Sequence, residues 1–292
     1  MFSGNSSPGS NSGSFSLEGT QEFLNSNSLV AKFAFLLLIL IVFVLALRAG
    51  IQFLTWLFTP SGSPHLLDGM IDAQHMKVIT QDPATSGSIP IIRSNNQLDG
   101  IEFTWSIWIY IDNLDYGAGT YRHIFHKGND DINYTKAPTG LNFPNNGPGL
   151  YITPNENNLL VIMNTFENIE EKIIINDVPL NKWINVIIRC EQNIIDCYIN
   201  GTVTKRHELS GVPFQNYGNV YMSMNGGFDG YSSNLWYYDY ALGTSAIQRI
   251  VDQGPNMSMD GSEMSQEEPR YFSLRWFFAN TNSQNAADYG GI

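Results

Sequence analysis

This chain has no run of lysine or arginine, and only 14% of its residues are charged, for a net charge of −12. Phosphate backbones are bound by clustered cations, so nucleic acid is set aside as a partner. Cysteine is scarce too. Cys190 and Cys197 stand close together without CxxC pairing, which argues against a structural zinc site. They fit a local disulfide across a hairpin or two buried thiols, so the redox compartment stays open. No G-x-S-x-G motif is present and both cysteines fall in expected strands, so nucleophilic catalysis has no support. Alternation of strands with helices is also missing, which argues against a parallel α/β sheet.

What is present is apolar and aromatic. Hydrophobic residues make up 43% of the 292 positions and aromatics 13%, enough for a packed core and in keeping with a β-rich body. Residues 1–60 hold only Glu18, Glu22, Lys32 and Arg48 as charges, so the net charge belongs to residues 61–292. The Ser/Gly/Asn-rich stretch 1–28 reads as a disordered tail. From Phe33 to Leu47 no side chain is polar; after Arg48 the apolar run resumes to Phe58. At about 1.5 Å per residue the stretch reaches about 39 Å, beyond the roughly 30 Å of a hydrocarbon core, so 29–58 is read as one transmembrane helix. Phe33, Leu47, Arg48, Trp56 and Phe58 are its anchor residues, with Arg48 reaching for headgroups and Trp56 and Phe58 in the interfacial belt. A cleaved secretory signal is the lesser reading, since no A-x-A site follows the apolar run. Lys32 and Arg48 flank opposite ends and leave the orientation open.

Residues 59–84, opened by Thr59-Pro60-Ser61-Gly62-Ser63-Pro64, are expected to be a linker, with a short strand such as Ile89–Arg93 soon after. From Gly100 short runs of β-branched and aromatic residues alternate with Asn, Gly, Pro and Asp. That pattern predicts an all-β fold, an antiparallel two-sheet jelly-roll sandwich over 85–252. A helix is expected over Ala241–Asp252, with Ile247, Ile250 and Val251 facing the sandwich. Residues 253–292 read as a partly disordered extension; within it the aromatic patch Tyr271, Phe272, Trp276, Phe277 and Phe278 is expected to dock on the body or a partner.

Three stretches resemble the laminin-G/concanavalin A-like lectin/glucanase superfamily. They are Phe103-Thr104-Trp105-Ser106-Ile107-Trp108, then Trp183 to Arg189 leading to Cys197-Tyr198-Ile199-Asn200-Gly201, then Phe228-Asp229-Gly230-Tyr231 to Leu235. Asn200-Gly201 suits a two-residue turn at positive φ, and Gly230 permits a close backbone approach. The resemblance implies the sandwich. A second resemblance, to the N-terminal anchor of membrane-bound virion proteins of large DNA viruses of algae and protists, rests on Asn27 to Phe35, Ser61 to Pro64 and Asp68 to Ala73. It implies a lipid membrane and neighbouring capsid proteins as partners.

The superfamily's hydrolases carry an E-x-D-x-x-E-type strand, and nothing here matches it. Glu170 and Glu171 are adjacent near a turn with Glu167 and read as solvated charges. His123 and His126, three apart on a strand, are expected to face opposite sides and not to chelate together. No cofactor is expected, save calcium. Its candidate ligands are Asn129, Asp130 and Asp131, or Asp229 beside Asn225. For glycan or protein contact the candidates are Tyr116, Tyr121, Tyr134, Asn145, Asn146, Tyr217 and Tyr231. The leading expectation is a non-enzymatic structural protein that docks to its neighbours; a carbohydrate-binding adhesion module is the alternative, and a glycoside hydrolase comes last.

Overall fold

The computed structural model describes residues 28–94, 96–97, 100–135 and 137–260. The expected tail, apart from Ser28, and the aromatic patch Tyr271 to Phe278 lie outside the described residues. The chain divides into two compact units, Met1–Thr59 and Pro60–Ile292.

In the first unit one helix, α1 (Leu29–Phe58), occupies the apolar run. The Ser28 hydroxyl accepts from the Ala31 N–H at 3.3 Å and caps its first turn. At the other end the Thr59 N–H closes on the Thr55 carbonyl at 2.9 Å, just before Pro60 removes the next donor. Phe33, Leu47, Trp56 and Phe58 are all exposed, and the apolar side chains point outward on every side. A helix that is apolar all round, without a core of its own, is long and apolar enough to cross a bilayer.

The second unit is a sandwich of two antiparallel sheets. Its strands are β1 (His65–Asp72), β2 (Lys77–Ile79), β3 (Asn96–Gln97), β4 (Gly100–Ile111), β5 (Arg122–Gly128), β6 (Gly149–Ile152), β7 (Leu159–Met163), β8 (Glu171–Ile175), β9 (Trp183–Glu191), β10 (Ile194–Ile199), β11 (Thr202–Glu208), β12 (Asn219–Met222) and β13 (Gly230–Tyr238). One sheet runs β1-β13-β4-β9-β10-β11, with β3 alongside β4; the other runs β2-β12-β5-β6-β7-β8. Inward-facing Trp105, Ile107, Phe125, Val161 and Val186 fill the space between them, with the Trp105 ring 5.4 Å from Phe125 and 5.0 Å from Tyr237.

The outer faces are partly covered. Helix α2 (Thr244–Gln253) lays Ile247 on Ile187 and Tyr198 of the first sheet, with Ile250 at the edge of that contact. It begins later than expected because the Leu242 N–H is held by the Thr104 hydroxyl at 3.0 Å, before helical geometry starts. On the second sheet, the chain between β5 and β6 packs Leu141 against Tyr151, Leu160 and Ile162.

The expected linker over 59–84 is corrected. β1 pairs with β13, and β2 with β12, so each closes a sheet edge whose backbone groups would otherwise be unpaired. Leu66 and Leu67 are both buried in the core. The sequence hides this strand because β1 is irregular: its register shifts twice, and Gly69 sits at φ +95°. Ile89–Arg93 is corrected in the opposite sense. It forms no ladder and is tied down by Gln81, whose side chain donates to the Ile89 carbonyl and accepts from the Ile91 N–H.

Asn200 and Gly201 adopt φ +50° and +79° in the β10–β11 turn, as the two-residue hairpin requires. Cys190 and Cys197 are both free and buried in the core. Cys190 stands opposite Ile195 and Cys197 opposite Ile188, so the thiols are diagonal neighbours rather than a facing pair. Burial pushes both thiols up to about 12, the range of inert structural cysteines.

Candidate binding cleft

The inner faces of the sheets do not close at one end of the sandwich. Phe103 and Trp105 at the start of β4, Tyr237 near the end of β13, and Met163 at the end of β7 line a cavity of about 360 Å³ there. Segments 81–83, 91–93 and 215–217 form its mouth.

Lys127 enters this apolar space from β5. Phe125 faces the core, so Lys127, two residues on, shares that face; its cross-strand partner Val220 is likewise buried in the core. The side chain is almost fully buried, and its ammonium donates to the Gly218 carbonyl at 2.6 Å. Burial pushes its pKa down to about 8. Among the described residues no carboxylate pairs with it. Arg93 is exposed at the mouth, its guanidinium carbon 4.4 Å from the centroid of the Tyr217 ring. Tyr217 is 75% exposed.

The amides around the mouth are structural. Gln215 holds Ser94 through both its N–H and its hydroxyl, Asn216 donates to the Lys127 carbonyl at 2.9 Å, and Asn219 accepts from the Gln81 N–H at 3.0 Å. Asp82 accepts from Ala84 in its own turn at 2.9 Å.

The other expected contact residues are not at this cleft. Tyr116, Tyr134 and Asn225 come together at the opposite end, beyond the end of β4 and the start of β5. There the Tyr134 hydroxyl donates to Asn225 Oδ1 at 3.3 Å, and the Tyr116 hydroxyl lies against Gly226. Tyr231 leans on Tyr110 with ring centroids 6.4 Å apart, and Tyr121 packs under Leu141. Asn146 is corrected from loop contact to buried network. It is 1% exposed, donates to the Asn142 carbonyl at 2.8 Å and accepts from the Tyr151 hydroxyl at 2.6 Å. The Asn145 N–H donates to Asn129 Oδ1 at 3.2 Å.

The calcium candidates are engaged by amides. Asn129 Nδ2 donates to Asp131 Oδ2 at 2.8 Å and to the Phe143 carbonyl at 3.1 Å, and the Asp229 carboxylate accepts from Gln74 and Asn113. Asp130 lies beside this network, exposed. Among the described residues, no three His, Cys, Asp or Glu side chains gather as metal ligands.

Two further expectations are overturned. A register shift between His123 and Phe125 inserts a bulge that breaks the strand's alternation, so His123 and His126 meet. The Met224 N–H donates to His123 Nδ1 at 3.0 Å, His123 Nε2 lies 2.6 Å from His126 Nδ1, and His126 Nε2 lies 2.7 Å from the Asn129 carbonyl. This relay closes only when both rings are neutral, because each supplies one donor and one acceptor. Burial and the neighbouring His126 hold His123 well below the ordinary histidine value; burial pushes His126 down to about 4. Glu171 is not a solvated charge either. It is 7% exposed and accepts from the Ser210 hydroxyl at 2.7 Å, with His207 Nε2 at 3.0 Å. Burial opposes its ionisation, but these bonds outweigh that and hold the carboxyl below its usual range. Glu170 pairs with Lys172 at 3.4 Å.

The profile of the concanavalin A-like lectin/glucanases superfamily matches residues 84–248. No curated protein matches the sequence. Among solved structures, the binding domain of botulinum neurotoxin serotype D is similar at a TM-score of 0.43 and 13% identity, over 65% of this chain and 50% of that one. The receptor binding domain of the C/D mosaic serotype gives 0.41 and 15%, over 52% and 36%. The neurotoxin DC binding domain, solved with rat synaptotagmin II, gives 0.41 and 17%, over 61% and 46%. This chain thus spans half the length or less of each.

Proposed function

We propose that this chain, which belongs to the concanavalin A-like lectin/glucanases superfamily, is a non-enzymatic binding protein tethered to a membrane by α1. Its sandwich docks to neighbouring proteins, as a structural component of a virus particle's lipid membrane. The observation that carries the tether is that α1 presents apolar side chains on every side, ahead of a body with its own core. The carboxylates support a non-catalytic role, since Glu171 is tied to Ser210 and His207 and Glu170 to Lys172. The virion setting rests on the resemblance of the anchor segment, because the fold itself admits many functions.

Membrane flotation tests the tether. The full chain is expected to float with liposomes and resist alkaline extraction, while a chain lacking 29–58 stays in the aqueous fraction. A full chain that remains soluble without detergent overturns it. Cross-linking on intact particles tests the docking, and a particle preparation free of this protein overturns the virion setting. A second reading, glycan binding at the rim of Tyr116, Tyr134 and Asn225, is favoured by the exposure of both tyrosines; a glycan panel decides it.

A further inference from the structure

Most of the hydrogen-bond capacity around the cavity is already used within the fold. The Gln215, Asn216 and Asn219 side chains all hold backbone or the Ser94 hydroxyl. The Lys127 ammonium has three donors and uses one, on the Gly218 carbonyl. The Arg93 guanidinium has five, and it rests on the face of Tyr217. The spare donors are therefore cationic, one deep and one at the mouth, while the floor of Phe103, Trp105, Met163 and Tyr237 is apolar. A buried cation is costly unless an anion pairs with it, and this one has no carboxylate partner among the described residues.

We propose that this cleft binds a small amphiphilic organic anion, its apolar body on Phe103, Trp105 and Tyr237 and its carboxylate on Lys127, with Arg93 closing over the mouth. The cavity volume of 360 Å³ falls at the lower end of the roughly 300–1,000 Å³ typical of small-molecule sites, which limits the occupant to a compact acid rather than a polymer chain. Asp82 is the carboxylate of the lining; it is exposed and anchored to Ala84, so water screens it from the interior. The inference rests on reading the cleft as a binding site and is independent of the membrane tether.

The test is calorimetric titration of the full chain in detergent micelles with 2-naphthoate, its neutral counterpart 2-naphthylmethanol, and inorganic phosphate. The variants Lys127→Met and Arg93→Gln are titrated in the same micelles, which cancels partitioning of the probe. Naphthoate is expected to saturate one site and to weaken at least tenfold in Lys127→Met. Arg93→Gln, a change on an exposed side chain, is expected to weaken it about threefold, reflecting a screened contact at the mouth. It gives a second readout should Lys127→Met fail to fold. The alcohol is expected to bind more weakly than the acid and equally to wild type and Lys127→Met. No saturable naphthoate binding, equal affinity in both variants, or an alcohol as tight as the acid overturns the proposal. Phosphate competing as well as naphthoate also overturns it, by showing a site for charge alone. None of these outcomes alters flotation, so a failed cleft leaves the tether standing.

Discussion

Replacing Lys127 by methionine is expected to make the protein more stable at neutral pH, and the size of the gain depends on where the ammonium sits. Burial lowers its pKa from 10.5 to about 8. At about 1.4 kcal/mol per tenfold change in proton affinity, keeping it charged costs the folded state about 3 kcal/mol. Methionine fills much of the same volume without that cost, but it abandons the Gly218 carbonyl, which returns about 2 kcal/mol. The net gain of about 1 kcal/mol corresponds to a rise in Tm of about 3 °C for a body of this size. The pH dependence is more diagnostic. Below about pH 8 the lysine is charged in both folded and unfolded chains, and the cost is fully present. Between pH 8 and 10.5 the unfolded chain binds a proton that the folded chain has shed, so the wild type gains stability as pH rises, and the variant does not. Thermal unfolding of both proteins from pH 7 to 10.5 should therefore show the gap between them closing and then reversing, the wild type leading by about 2 kcal/mol once the lysine is neutral in both states. Parallel profiles, or a variant that is less stable at pH 7 by several degrees, would refute the argument.

The histidine relay predicts acid sensitivity. With His126 at about 4 in the folded chain against 6.5 unfolded, stability is fully present above pH 6.5 and falls by up to about 3 kcal/mol as pH drops towards 4. Unfolding measured across that range should show a flatter profile in His126→Phe, and an unchanged slope would exclude the pair as its source. Gly230→Ala should cost more than about 3 kcal/mol, because the glycine adopts φ +142° and an added Cβ would lie 1.8 Å from the Tyr110 carbonyl. A folded Gly230→Ala protein with near-normal Tm would show that β4 and β13 can separate there.

The sandwich was legible because most strands obey simple rules: β-branched and aromatic runs such as Ile194–Ile199 form strands, and Asn200-Gly201 makes the expected turn. What stayed hidden lies where a strand departs from alternation. β1 is broken by two register shifts and Gly69, so its apolar residues read as linker. One bulge in β5 turns His123 towards His126, which a strict two-residue period sets on opposite faces. Tyr217 was the one expected contact residue to reach the cleft. Lys127 stayed hidden because position alone does not show that its neighbours two residues back and across the ladder, Phe125 and Val220, are both in the core.

The same bulge connects these features. His123 and His126 belong to a relay on the outer face of the second sheet, and the bulge between them leaves Ile124, Phe125 and then Lys127 facing inward. Were the same residues to run in strict alternation with no bulge, the side chains beyond Ile124 would exchange faces, placing His126 in the core and the ammonium in solvent. The fold thus meets two demands with one irregularity: a neutral histidine pair that is fully bonded, and a cation held in an apolar cavity. The first stabilises the resting protein above pH 6.5, whereas the second costs it about 3 kcal/mol. An anion that reaches Lys127 would offset that cost, and its affinity would include the relief of a penalty already built into the unliganded fold.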